Sequence, residues 1–137
     1  MKYLLIVVLA LVLHQSLTLD LRSIVQSYAK YVLVFQERCE QESGVNPIEA
    51  DRLLNPGILS DNDAFKHYAA CLFRNLRLLN NDGTSNIDNY RIFIASEHPE
   101  IVNPLIEKCK PSGVGGNVQE RVWNFLNCAF DAVKNMV

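Results

Sequence analysis

The stretch SDNDAFKHYAACLFRNLRLL, residues 60–79, decides the fold. Its apolar residues recur at intervals of three and four, which is the spacing of one buried face of an α-helix. The stretch begins with Ser60, a residue type that caps helices, and it carries Cys71 in its second half. We therefore predict a core helix from Ser60 to about Leu79 that is tied covalently to another element. The residues of its apolar stripe are Phe65, Tyr68, Ala69, Leu72, Leu76 and Leu79.

Further short helices are predicted on both sides of this core helix. The signals are apolar residues at helical spacing, capping residues such as Asp20 and Asn117, and breaks such as Gly44. Patterns typical of strands are nearly absent, so the predicted fold class is all-α, a compact bundle of about six short helices. The other five predicted helices run from Asp20 to about Glu42, from Asn46 to about Leu54, from Ile87 to about Ala95, from Pro99 to Cys109 and from Asn117 to about Met136.

The first residues have the pattern of a secretory leader. Lys2 supplies a positive start, residues 3–13 are an unbroken apolar run, and Ser16 and Thr18 are small residues near a cleavage point. The apolar run is about half of the roughly 20 residues that a helix needs to cross a membrane, so an uncleaved anchor or a core strand is the less favoured interpretation. We predict a signal peptide at 1–18, a single domain at 19–137, and a secreted, extracellular protein without membrane insertion.

The four cysteines, Cys39, Cys71, Cys109 and Cys128, each lie on a different predicted helix, and no CxxC pair occurs. In the oxidising compartment that the leader implies, an even set of widely spaced cysteines predicts disulfides and not a metal site. Residue spacing alone leaves three connectivities open.

Charge and motifs argue against several functions. The formal net charge is −2 and no basic cluster occurs, so nucleic acid is not an expected partner. The chain has no HExxH, no GxSxG and no glycine-rich phosphate loop. Asp61 and Asp63 begin like a calcium loop, but Phe65 and Leu72 stand where oxygen ligands are needed. No catalytic residue, metal or cofactor is predicted, and the protein is expected not to be an enzyme.

The cysteine spacing resembles that of the insect odorant-binding proteins, of the pheromone-binding and general odorant-binding type. In that family the second of six cysteines lies four positions before the third, and the fifth lies nine before the sixth. Counting back from Cys71 and from Cys128 gives His67 and Gln119. The chain therefore resembles the minus-C subgroup, which lacks the second and fifth cysteines. The resemblance implies that Cys39 pairs with Cys71, and Cys109 with Cys128.

His67 and Gln119 stand where the missing bridge would have been, so they are expected to face each other or nearly so. Two interpretations are equally open. A hydrogen bond between the imidazole and the amide replaces the bridge, at ~1 kcal/mol. Alternatively, the two side chains are independently solvated.

The resemblance also implies an apolar cavity between the helices. Offsets from the cysteines place Val25, Val32, Ala69, Phe73, Ile106, Phe125 and Ala129 on its wall, with Tyr28, Leu76, Phe93, Val122 and Val133 as adjacent candidates. The plainer interpretation of each is core packing, because any helical bundle shows such stripes.

Four polar or aromatic residues carry separate predictions. Tyr28, Tyr68 and Tyr90 are the candidate hydrogen-bonding anchors for a ligand that carries an oxygen. Trp123 either lines the cavity or lies against the surface. His98, directly before Pro99, is predicted to be a solvated loop residue.

Two functions fit this resemblance. The first is a secreted carrier of small hydrophobic ligands such as odorants or pheromones, with a chemosensory receptor as a further partner and a monomer or weak dimer as the working form. The second is a non-olfactory secreted protein of saliva or reproductive fluid that interacts with or sequesters other molecules. Since only His67 and His98 of the predicted mature chain titrate between pH 5 and 8, ligand affinity is expected to change less than about tenfold between pH 7 and 5, with any larger change passing through His67.

Overall fold

The computed structural model describes residues 1–17, 20–56, 59–110 and 116–136, and for residues 10–17 the backbone alone. Within these ranges the chain is helical and contains no strand, which confirms the all-α fold class. The helices are α1 (Lys2–Leu17), α2 (Leu21–Gln26), α3 (Ala29–Ser43), α4 (Pro47–Asp51), α5 (Asp63–Asn75), α6 (Ile87–Ala95), α7 (Val102–Cys109) and α8 (Val118–Met136), with a 3₁₀ turn at Pro99–Ile101 before α7.

The prediction of one helix from Asp20 to Glu42 was wrong, because the chain breaks into α2 and α3 at Ser27 and Tyr28. Ser27 donates its hydroxyl proton to the carbonyl of Ile24 at 2.5 Å. The Tyr28 amide bonds to the carbonyl three residues back, at Val25, instead of four back. A side chain that competes for a helix carbonyl, followed by a tighter turn, bends a helix at that point.

The core helix is shorter than the predicted span of Ser60 to Leu79. Asn62, and not Ser60, is its cap: the Asn62 amide oxygen accepts from the Phe65 amide at 2.8 Å. After Asn75 the chain turns through Arg77, whose φ of +62° lies in the left-handed region. This turn directs Leu78 into the interior, where it is buried.

The other predicted helices are mostly confirmed. α6 has the predicted bounds. α8 begins as predicted, with the Asn117 side chain accepting from the Glu120 amide at 2.9 Å. The helix predicted from Asn46 ends at Asp51, earlier than the predicted Leu54, and the fifth begins with the 3₁₀ turn at Pro99–Ile101.

Both disulfides implied by the resemblance are confirmed. Cys39–Cys71 joins α3 to α5, and Cys109–Cys128 joins α7 to α8, each with Cα atoms 5.6 Å apart. The loop-entropy model gives bridges that close loops of this size roughly 3 kcal/mol each. α5 packs against both α3 and α8, so the two bridges fasten helices on either side of the molecule's centre.

α1 differs from the rest of the molecule. Its apolar side chains from Tyr3 to Leu9 are exposed and do not belong to the core. Among the described residues, no helix combines the length and the apolar character that crossing a membrane requires. The signal peptide at 1–18 and the domain at 19–137 stay predictions, and Thr18 and Leu19 lie outside the described residues.

Candidate ligand-binding cavity

A cavity of about 130 Å³ lies between the C-terminal halves of α5 and α8. Its other sides are formed by α2, the start of α3, α6, the 3₁₀ turn and α7, together with residues from the segments that follow α4 and α5. The described residues of the wall are all aliphatic or aromatic, and none is a carboxylate, lysine, arginine or histidine.

Nine of the predicted ligand-binding residues come together on this wall. They are Val25, Tyr28, Val32, Phe73, Leu76, Phe93, Phe125, Ala129 and Val133. The structure places Ala69, Ile106 and Val122 in the buried core but outside the wall. Ala69 and Val122 precede the wall residues Phe73 and Phe125 by about one helical turn.

Tyr90, predicted as a candidate hydrogen-bonding anchor, also lies on the wall. Further wall residues were not predicted to contact a ligand. They are Leu21, Ile24, Leu53, Leu54, Leu72, Leu78, Ile94, Ile101, Leu105, Leu126 and Phe130. Leu72 lies on the predicted apolar stripe of the core helix, so periodicity marks it as inward-facing. Leu53, Leu54 and Leu78 follow the last turn of a helix, where helical periodicity carries no signal about direction.

Aromatic rings form a packed cluster on one side of the cavity. The rings of Phe73, Tyr90 and Phe125 contact one another edge to face, with the Tyr90 and Phe125 centroids 4.9 Å apart. Tyr28 and Phe93 lie 5.1 Å apart on another part of the wall. Edge-to-face pairs add about 0.5–1.5 kcal/mol beyond area burial, so this wall is held in place before a ligand binds.

The tyrosine hydroxyls already have partners inside the protein. Tyr28 donates to the carbonyl of Ile94 at 2.6 Å, and Tyr90 bonds with Ser85. Burial raises the pKa of Tyr90 to about 12 and raises the pKa of Tyr28 as well, so both hydroxyls stay neutral at physiological pH. Tyr68, the third predicted anchor, is fully buried but lies outside the wall.

His98 is not the solvated loop residue that we predicted. Its side chain is only 12% exposed, and the ring lies 5.9 Å from the ring of Tyr28. His98 Nε2 lies 2.9 Å from Ser27 Oγ, and Nδ1 lies 3.2 Å from Glu100 Oε1. The prediction failed because the break at Ser27 places that hydroxyl beside the segment before Pro99, which sequence spacing does not reveal.

The Ser27–His98–Glu100 chain has the order of a catalytic triad but not its hydrogen bonds. An activated serine gives its proton to the histidine. Here the Ser27 proton goes to the Ile24 carbonyl, so the imidazole has to donate to Ser27 Oγ. The chain therefore joins the α2–α3 break to the segment before α7 and does not prepare a nucleophile.

A group of polar side chains joins the N-terminal ends of α5 and α8, and we call it the polar end. Gln119 Nε2 lies 3.2 Å from His67 Nδ1, which decides between the two open interpretations in favour of a hydrogen bond at the missing bridge. Lys66 forms ion pairs with Asp61 and Glu120, both at 2.8 Å, and these pairs raise the pKa of the Lys66 ammonium.

Trp123 belongs to the polar end and not to the cavity. The Lys66 ammonium lies 4.8 Å from the centre of the Trp123 ring. The indole N–H donates to the carbonyl of Ser60 at 2.9 Å. The open prediction for Trp123 is thus decided in favour of a position outside the wall.

Comparison with known proteins gives one match. Residues 23–132 match the PBP/GOBP family, while no curated protein and no solved structure matches the chain. The match spans α2 to most of α8, which includes both disulfides and every described wall residue except Leu21 and Val133. The chain therefore belongs to the PBP/GOBP family of insect odorant-binding type, and its four cysteines in two disulfides fit the minus-C subgroup.

Proposed function

We propose that this protein is a secreted carrier that holds one small hydrophobic molecule in the cavity and transports it through aqueous fluid. The observation that carries the proposal is the apolar, aromatic-lined cavity between α5 and α8. A preformed concave site with apolar walls is the usual form of a small-molecule site. The family places the chain among odorant-binding and pheromone-binding folds.

The physical basis of transport is the removal of apolar surface from water. Each Å² of ligand surface that enters the cavity contributes about 25 cal/mol. Because the aromatic cluster and the two disulfides already hold the wall in place, little of that free energy is lost in ordering the protein. The carrier would act in the extracellular space as a monomer or weak dimer and deliver its ligand to a chemosensory receptor.

A binding assay with a cavity-filling variant tests the proposal. The oxidised protein is titrated by calorimetry with uncharged apolar compounds, from single rings to long chains. We expect at least one compound to bind with a Kd well below 1 mM. Ala129→Leu places a larger side chain in the cavity and is expected to weaken that binding at least tenfold. Ile92→Ala changes an exposed residue outside the wall and serves as the matched control.

Absence of binding to every compound would reject the carrier function. That result would favour the alternative, a secreted interaction or sequestering protein whose cavity has lost its role. Equal loss of binding in Ile92→Ala would show that the titration reports general destabilisation and not occupation of the cavity.

A further inference from the structure

We infer that the cavity selects compact, uncharged ring compounds of about alkylbenzene size, and that it discriminates against carboxylates, long chains and hydroxyl groups. The inference rests on the proposed carrier function and specifies its ligand class. Three features of the described residues carry it: the volume of the cavity, the absence of charge on its wall, and the prior engagement of its tyrosine hydroxyls.

The volume sets the size of the ligand. The cavity measures about 130 Å³. An engineered cavity of about 150 Å³ lined by leucine, isoleucine and phenylalanine, in another protein, stays dry and binds benzene. A single ring with a short alkyl substituent matches such a volume. A long chain has to push apart wall residues that are already buried, such as Leu53, Leu126 and Val133.

The charge pattern excludes anionic ligands. A carboxylate moved from water into an apolar site needs a cation or several donors to compensate its lost hydration. No lysine, arginine or histidine stands on the described wall to supply such a cation. Two lysines of the neighbouring helices are paired elsewhere, Lys66 with Asp61 and Glu120 at the polar end and Lys30 with Glu97. Neither lysine lies on the cavity wall.

The hydroxyl groups of the wall do not serve the ligand. The Tyr28 hydroxyl donates its hydrogen bond to the carbonyl of Ile94, and the Tyr90 hydroxyl has Ser85 as a hydrogen-bond partner. The surface that faces the cavity is carbon almost throughout. A ligand hydroxyl that enters therefore loses its bonds to water and gains none, a loss that reduces affinity several-fold to a hundred-fold.

Two matched ligand pairs and two matched variants test this selectivity. Toluene and phenol have the same shape and number of heavy atoms, and propylbenzene and benzoic acid have the same number of heavy atoms. On the oxidised wild-type protein at pH 7, we expect toluene to bind at least tenfold more tightly than phenol, and benzoate to show no binding. Decanoate and dodecanol represent the long-chain classes and are expected to bind more weakly than propylbenzene.

Toluene leaves water more readily than phenol whatever the cavity is like, so a preference of the wild type for toluene does not by itself demonstrate selectivity. A variant of the cavity wall supplies the decisive comparison. Val32→Thr places a hydroxyl on the wall at nearly constant volume, and Val34→Thr makes the same change at an exposed position of α3. We expect Val32→Thr to shift the phenol-to-toluene affinity ratio at least threefold toward phenol, and Val34→Thr to leave the ratio unchanged.

The outcomes separate the inference from the function on which it rests. If decanoate or dodecanol binds more tightly than propylbenzene, or if phenol equals toluene on the wild type, the selectivity is wrong while the carrier function stands. An unchanged phenol-to-toluene affinity ratio in Val32→Thr would likewise overturn the proposed selectivity. If none of the compounds binds, the carrier function itself fails.

Discussion

The two ends of the α5–α8 pair are built on opposite principles. At the polar end, ion pairs and hydrogen bonds through Lys66, His67 and Trp123 hold the helices at defined distances. About two turns further along, the same helices carry only apolar groups toward each other and leave a cavity. Hydrogen bonds and ion pairs require their atoms to lie at short, defined distances. Apolar side chains can instead leave a small cavity between them, at a limited loss of stability. A helix pair can thus be fastened at one end and left hollow at the other.

Truncating a phenylalanine at each end should produce the largest contrast. Phe65 is fully buried outside the wall, whereas Phe73 lies on the wall. We expect Phe65→Ala to lower the free energy of unfolding by about 3–5 kcal/mol, as is usual for a filled core. Phe73→Ala should cost at least about 1 kcal/mol less, because one side of that ring already borders empty space.

Urea denaturation of the two variants measures this difference, with exposed Ile92→Ala as the control that should stay within about 0.5 kcal/mol of the wild type. Equal losses for Phe65→Ala and Phe73→Ala would mean that the wall is as tightly packed as the core.

Replacing both His67 and Gln119 by cysteine should strengthen the polar end without altering the cavity. The two positions match the second and fifth cysteines of the family, and their side chains face each other in the structure, so a third bridge between α5 and α8 is expected to form. Its expected stabilisation is about 2–4 kcal/mol, because it closes a loop of some fifty residues in the unfolded chain. Thiol titration and thermal unfolding check both points.

The same double variant tests whether the two ends are independent. Affinity for an alkylbenzene should stay within about threefold of the wild type, because the new bridge lies outside the wall. A variant with serine at both positions separates the effect of the bridge from that of the lost His67–Gln119 contact. Two free thiols under oxidising conditions would show that the positions were wrongly aligned.

Ligand affinity should respond weakly to acid. We expect a change of less than tenfold, ~1.4 kcal/mol, between pH 7 and 5 for an uncharged ligand, because the described wall has no group that gains charge in this range. His98 lies near the wall, but both of its ring nitrogens face acceptors, Ser27 Oγ and Glu100, so a protonated ring keeps both contacts.

Titration of the wild type, His67→Gln and His98→Gln at both pH values identifies the source of any change. The sequence predicts that any larger change passes through His67, which lies at the polar end and outside the wall. A drop above tenfold that disappears in His98→Gln would place a pH-sensitive contact at the Ser27–His98–Glu100 chain instead.

The smallest expected effect concerns the carboxylate of Glu97. The hydrogen bond from Lys30, with a second from Tyr31, holds the pKa of Glu97 below its ordinary value of 4.5. A carboxyl with a lowered folded-state pKa adds stability above its unfolded pKa, and that stability is lost as pH falls through the folded value. Stability should therefore decline below about pH 4.5, and less steeply in Glu97→Gln; identical acid curves would assign the decline to other carboxyls.

The candidate wall residues were predicted from the family resemblance, by their offsets from the cysteines. The structure places Phe73 of α5 and Phe125 and Ala129 of α8 on the wall. Ala69 and Val122 lie on the buried faces of the same two helices but outside the wall. Periodicity identifies the inward face of a helix, but it does not indicate where along that face two helices separate.

Residues outside regular helix were harder to predict for a different reason. Leu78 reaches the wall through a backbone turn at Arg77, and Leu53 and Leu54 follow the end of α4. Their directions depend on φ and ψ values that neighbouring elements impose. The break at Ser27 depends on a competing local hydrogen bond to Ile24. The burial of His98 depends on its contact with Ser27, more than twenty residues away in the sequence. Helical periodicity indicates neither.

The family resemblance of the cysteine spacing implied the two disulfides and placed His67 opposite Gln119. The sequence by itself determined the all-α class and the positions of most helices. These features follow from residue spacing along a helix, which is a local property of the chain. The tertiary structure alone decided that Trp123 lies outside the cavity, that the tyrosine hydroxyls are engaged, and that the hollow lies at the C-terminal halves of α5 and α8. Those features depend on the distances between helices, which all the packed side chains set together.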